Sequence, residues 1–141
     1  VTEHSHDTAP DATAAHAHAP HEHAPHEHEA ASGSEELRDI AEVSSVEIIT
    51  SACVHLMSAA AVKVGLAEDE ETGQYQDLAE ARKLINALAG LVTAAAPEIG
   101  NEHARSLRDG LRSLQLAFAE ALPFPDAPGE APGEKYTGRV S

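Results

Sequence analysis

Apolar residues recur at alternating steps of three and four in two stretches of this chain, the spacing that lines one face of an α-helix. In one, Leu78, Ala81, Ile85, Leu88, Val92 and Ala95 make the stripe, widened by Leu84 and Leu91. In the other, Ala104, Leu107, Leu111, Leu114, Phe118 and Leu122 do the same. A stretch upstream of both reverses the proportions. Its polar positions Glu47, Ser51, His55 and Ser58 form one narrow stripe, and nearly everything else is Ala, Val, Ile, Leu or Met. Such a helix asks to be covered on more than one side.

Punctuation residues set the expected ends. Ser44 with Glu47 three residues on reads as a capping box, opening a helix over about 45–65. Asp77 with Glu80 opens a second, over about 78–96, which Pro97 ends because proline cannot continue the hydrogen-bond ladder. Asn101 is the expected cap of a third, over about 102–121, stopped by Pro123 and Pro125. An acid-rich linker at 66–76 and a short one at 97–101 suit antiparallel neighbours. The expected fold class is all-α, a small three-helix, up-down-up bundle within residues 35–122, with a shorter amphipathic turn at 35–43. Aromatics are few (Tyr75, Phe118, Phe124 and Tyr136), so the core is thin. Surplus apolar surface on the first helix points to a homodimer or to a protein partner seated there.

The flanks read differently. Between Val1 and Leu37 there is no large apolar residue, so nothing offsets the ordering entropy, and residues 1–34 are expected to be a disordered His/Ala/Pro/Glu-rich tail. Residues 123–141 repeat Ala-Pro-Gly-Glu at 127–130 and 131–134, a density of Pro and Gly that predicts an extended, non-helical tail. Phe124 and Tyr136 are its candidate anchors, in a groove of the bundle or on a partner.

The chain carries 24 acidic and nine basic residues, a formal charge of −15. Eight of the acids, eight of the ten histidines and no Lys or Arg fall in residues 1–36. The overall balance argues against DNA, whose phosphates call for a positive excess. The single Cys53 excludes a disulfide framework and fits a reducing cytosol. No basic start followed by an apolar stretch marks a secretory signal, and the uncharged run at 48–62 falls short of the ~20 residues of a membrane span. A cytoplasmic protein without membrane contact is the expectation.

Three constellations bear chemistry. His4 and His6, His16 and His18, His21 and His23, and His26 and His28 form four His-x-His pairs. In an extended chain each pair presents two imidazoles to one side, so the tail is a candidate for loosely bound Ni²⁺ or Zn²⁺, and a metal-buffering or delivery role is the alternative function. No other cofactor is implied. Arg105, Arg108 and Arg112 make a helical stripe, with Arg82 and Lys83 on the preceding helix, that could grip phosphate or RNA on a partner such as the ribosome, but Glu102 and Asp109 interleave with it. The plainer reading is a solvated face with i, i+4 pairing. His55 has Ser51 and Ser58 a turn away on either side, yet same-helix proximity does not make a catalytic set, and Cys53 reads as a small core residue. No phosphate loop, zincin helix or nucleophile elbow occurs, so no catalytic residue is expected.

Val46-Glu47-Ile48-Ile49 and His55-Leu56-Met57-Ser58-Ala59-Ala60-Ala61-Val62-Lys63 resemble the actinobacterial branch of domain of unknown function family 1844. So do Asp77-Leu78-Ala79-Glu80-Ala81-Arg82-Lys83-Leu84-Ile85, Leu107-Arg108-Asp109-Gly110-Leu111, and Pro132-Gly133-Glu134-Lys135-Tyr136-Thr137-Gly138. The likeness runs over about 37–139 and leaves out the histidine tail. The resemblance implies a small helical cytosolic protein with no assigned activity. Because genes of this family lie near that of translation initiation factor three, it also implies a translation-linked role. The expected function is a non-enzymatic helical module for protein–protein interaction.

Overall fold

The computed structural model describes residues 27–66 and 75–141. Their regular structure is all-helical, with four substantial helices and no strand among the described residues. The chain divides into two units, Val1–Arg38 and Asp39–Ser141. What is described of the first is most of α1 (Glu27–Glu42). Residues 27–34, expected to belong to the disordered tail, are helical, and the short turn expected at 35–43 is the second half of a 16-residue helix. Ala30 and Ala31 and the run of Glu and Leu are good helix formers once Pro25 is past. From Ser34 onward every side chain of α1 is exposed.

In the second unit, α2 (Ser45–Val64) starts as its capping box requires: Glu47 donates its backbone N–H to Ser44 Oγ at 3.3 Å. It ends where Gly65 turns left-handed (φ 96°) and the N–H groups of Gly65 and Leu66 reach back to Val62 and Ala61, closing the last turn. After the linker the chain returns to the same place. The Gln76 amide donates to the Val64 carbonyl at 2.9 Å and the Asp77 N–H to that of Lys63 at 2.8 Å. Asp77 then caps α3 (Leu78–Ile99), its Oδ1 accepting from the Glu80 N–H at 3.1 Å.

Pro97 does not end that helix, which runs on to Ile99. A proline near the carboxyl end forfeits its own hydrogen bond and no other, and Ile99 is buried. Nor does Asn101 cap the next helix. It is the first residue of α4 (Asn101–Ala121), and Gly100 alone, at φ 89°, makes the turn between them. The five-residue linker expected at 97–101 is therefore a single residue.

Each of the three long helices contacts the other two. Ala81, Ile85, Leu88, Val92 and Ala95 of α3 and Ala104, Leu107, Leu111, Leu114 and Phe118 of α4 are buried, the stripes read from spacing. Leu78 and Leu122, at the ends of those stripes, are half-buried. Full burial of each large apolar side chain contributes roughly 1.5–3 kcal/mol, and Phe118 is the largest here. From α2 only Cys53, Ala60 and Val64 are fully buried, while Val46, Ile49, Leu56, Met57 and Ala61 pack half-buried against the core.

Residues 123–141 do not trail as an extended segment. They fold back over α3 and α4 and include a short helix, α5 (Glu134–Thr137), that contacts α3. The expectation that Pro and Gly forbid a helix fails because their density ends at Gly133, leaving Glu134 to Thr137 free of both.

Candidate functional site

Two surfaces carry what the sequence left unplaced. The first is the outward face of α2. Ile48, Ser51, Ala52, Val54, His55, Ser58 and Val62 are all exposed, and none is Asp, Glu, Lys or Arg. Ile48 is 45% and Val54 55% exposed. The charged residues of α2 are Glu47 and Lys63, one near each end. Thr50, Ser51, Val54, His55 and Ser58 form a shallow depression on this face. The hydroxyls of Thr50 and Ser58 are turned back onto the helix, donating to the carbonyls of Val46 (2.8 Å) and Val54 (3.0 Å). Neither is engaged by His55. Cys53 points inward, wholly buried, and burial pushes its thiol above its ordinary pKa, so it makes a poor nucleophile. At 20 residues α2 exceeds the uncharged run that seemed too short to span a membrane. By length and composition it is the one helix among the described residues that could.

The second surface is built where the carboxyl segment lies on α3 and α4. The two Ala-Pro-Gly-Glu copies make the same local structure. Glu130 donates its N–H to the Ala127 carbonyl and Glu134 to that of Ala131, each with glycine at positive φ (86° and 80°). That is a type II turn, with proline and glycine where its geometry wants them. Their fates differ. Residues 127–130 are exposed, whereas Pro132, Gly133 and Glu134 are buried.

Polar side chains of the bundle receive the second copy. Asn86 Oδ1 accepts from the Gly133 N–H at 2.7 Å, and Gln115 Nε2 donates to the Pro132 carbonyl and to Thr137 Oγ1, both at 3.1 Å. Glu134 Oε2 accepts from Gly129 N–H at 2.9 Å, tying one turn to the other. Arg82 makes a forked bond to Asp126 (2.9 and 3.1 Å), reaches the Glu130 carbonyl, and lies over the Phe118 ring, 4.9 Å from its centroid.

Of the two expected anchors, Phe124 does not anchor on the bundle: it is 82% exposed, because proline on either side leaves it on a bend. Tyr136 does, closely enough that a β-carbon on Gly90 would stand 3.2 Å from its ring, though it stays 44% exposed. Arg105, Arg108 and Arg112 are all exposed on α4. Arg108 and Arg112 line a cleft of about 350 Å³ with Tyr136, Thr137 and Arg139; Arg105 does not. The i, i+4 pairing expected of that stripe is absent, since the ion pairs among the described residues are Arg82–Asp126 and Lys83–Glu80.

Sequence reasoning missed Asn86, Gln115, Asp126, Glu134 and Arg139, and took Arg82 for a partner contact where it holds the chain's own carboxyl segment. Gln115 was the one visible signal, a polar residue beside the leucine stripe of α4. Of the histidine pairs, His4, His6, His16, His18, His21, His23 and His26 lie outside the described residues, and of His28 only its place in α1 is described. Among the described residues no three His, Cys, Asp or Glu side chains gather to hold a metal ion.

The family model for a domain of unknown function, DUF1844, matches residues 45–120, more than half of the chain. The chain belongs to that family. The DUF1844 match opens on the first residue of α2 and closes one residue before the end of α4, so it takes in the three long helices. The resemblance expected for 37–44 and 121–139 lies outside it, and with it the docked carboxyl segment. No curated protein and no solved structure matches the chain.

Proposed function

We propose that this DUF1844 protein is a non-enzymatic interaction module, an up-down-up three-helix bundle that pairs with a second copy of itself through the outward face of α2. One observation carries the reading: in a chain of net charge −15, the exposed positions of α2 from Ile48 to Val62, about four turns beginning past the exposed Glu47 of its first turn, hold no Asp, Glu, Lys or Arg. A helix face meant for water is normally charged.

The spacing supports a helical partner. Ile48, His55 and Val62 are seven residues apart, as are Ser51 and Ser58, and Ala52 and Ala59. Small residues between larger ones allow two helices to approach closely. The face is also self-complementary. Laid antiparallel on its copy about a two-fold axis at His55, Ile48 meets Val62 and Ala52 meets Ser58, as an isologous interface demands. A catalytic reading gains nothing from the same residues, because the Thr50 and Ser58 hydroxyls bond their own helix.

Sedimentation of the full chain at micromolar concentration tests this. A dimer is expected, and Val54→Glu, at an exposed position that folding does not need, should give a monomer of unchanged helicity. A wild-type monomer overturns the self-pairing. Flotation of that monomer with lipid vesicles would assign the face to a membrane instead.

A further inference from the structure

Three of the nine Lys and Arg residues in this acidic chain line one cleft. Arg108 and Arg112 stand one turn apart on α4, and Arg139 comes from the segment after α5. Asp109 is the one carboxylate among the lining residues, and no ion pair joins it to any of the three. Arg112 donates one hydrogen bond, to a terminal main-chain oxygen of Ser141 at 3.0 Å. Among the described residues, Arg108 and Arg139 make no side-chain hydrogen bond or ion pair. Exposed arginines on an acidic protein ordinarily find carboxylates. Here two separate segments bring theirs together beside a single side-chain carboxylate.

We propose that this cleft binds a small phosphate monoester. Three guanidiniums stand against one side-chain carboxylate, Asp109, and the terminal Ser141 oxygen that Arg112 bonds, which leaves the cleft net positive and suited to a phosphate monoester carrying about −1.5 to −2 near neutral pH. The guanidinium fork suits two oxygens of one phosphate, and arginines from different segments can take different edges. A volume of about 350 Å³ stands at the lower end of small-molecule pockets, roughly 300–1,000 Å³. Val92, Leu111 and Val140 supply an apolar wall for the organic body, with Tyr136 beside them. A compact head senses these nearby charges. A long polyanion such as RNA also meets the repulsion of the remaining acids, since screening removes charge effects only beyond about 8–10 Å.

The bound phosphate would bridge α4 to Arg139 and so hold the carboxyl segment down, which gives the test two independent readouts. Calorimetric titration of the full chain would use adenosine monophosphate, inorganic phosphate and succinate, at low and raised salt. Binding of the phosphate probes that weakens with salt is expected, about tenfold poorer in Arg108→Gln and in Arg139→Gln. Arg105→Gln, on the same helix but outside the cleft, should bind as the wild type does. Adenosine monophosphate should also slow trypsin cleavage after Lys135 and Arg139 in the wild type and not in Arg108→Gln.

Absence of phosphate binding at millimolar concentration overturns the proposal. So does an Arg105→Gln loss equal to that of Arg108→Gln, which would mean a diffuse charge effect. Succinate bound as tightly as phosphate would make this a carboxylate site, and an oligoribonucleotide bound more tightly than the mononucleotide would make it a polymer site. Either result ends the proposal as stated.

Discussion

Gly129 and Gly133 occupy equivalent places in consecutive copies of one tetrapeptide, with nearly the same φ of 86° and 80°. Around Gly129 nothing lies within 4 Å of where a β-carbon would stand, while at Gly133 that atom would meet Ala89 Cβ at 2.8 Å and Gln115 Nε2 at 2.9 Å. Alanine at either position adopts a left-handed conformation at a cost of about 1–2 kcal/mol. Only at Gly133 must it also displace the bundle. Gly133→Ala is therefore expected to release the carboxyl segment, seen as rapid trypsin cleavage after Lys135, with Gly129→Ala cut far more slowly. Equal cleavage of the two variants would show that the contact with Ala89 and Gln115 holds nothing. Cys53 offers a second check at this scale. Its thiol is wholly buried and its pKa raised, so iodoacetamide at mildly alkaline pH should label it only after denaturant unfolds the protein. Prompt labelling of the native chain would place α2 differently.

Helix interiors were legible because α3 and α4 each have one apolar stripe and one place to put it. Their ends were less so. Pro97 reads as a stop, yet the last turn needs only the bonds made by Glu98 and Ile99, and burying Ile99 favours keeping it. Asn101 reads as a cap, but Gly100 turns the chain alone, so the asparagine starts the helix. The carboxyl segment was harder still. Its grip depends on Asn86, Gln115 and Arg82, which lie far from it in sequence and are ordinary helix residues until the segment arrives. At the other end, the metal chemistry proposed for the histidine pairs of residues 1–34 falls almost wholly outside the described residues. Deleting residues 1–34 is expected to abolish micromolar Ni²⁺ binding, measured by calorimetry, because no alternative cluster exists among the described residues. Ni²⁺ binding that survives the deletion would move the site elsewhere.

As a whole the molecule buries two of its long helices well and the third poorly. Among the described residues the outward face of α2 leaves Ile48, Val54 and Val62 exposed, and a second copy covering it would make folding depend on concentration. The midpoint of thermal unfolding is expected to rise by several degrees between about 1 and 100 μM chain, and to stay constant for Val54→Glu. A wild-type midpoint independent of concentration would contradict self-pairing. What the sequence by itself determined is the set of things that depend on near neighbours: three helices, the buried stripes of α3 and α4, the caps at Ser44 and Asp77, and the family to which their residues belong. Only the tertiary structure decided which copy of Ala-Pro-Gly-Glu is buried, that Tyr136 docks while Phe124 does not, and that Arg139 joins Arg108 and Arg112 at one cleft. Identical tetrapeptides and similar arginines carry no local mark of difference. What separates them is the surface waiting opposite, and that surface exists only once α3 and α4 have packed.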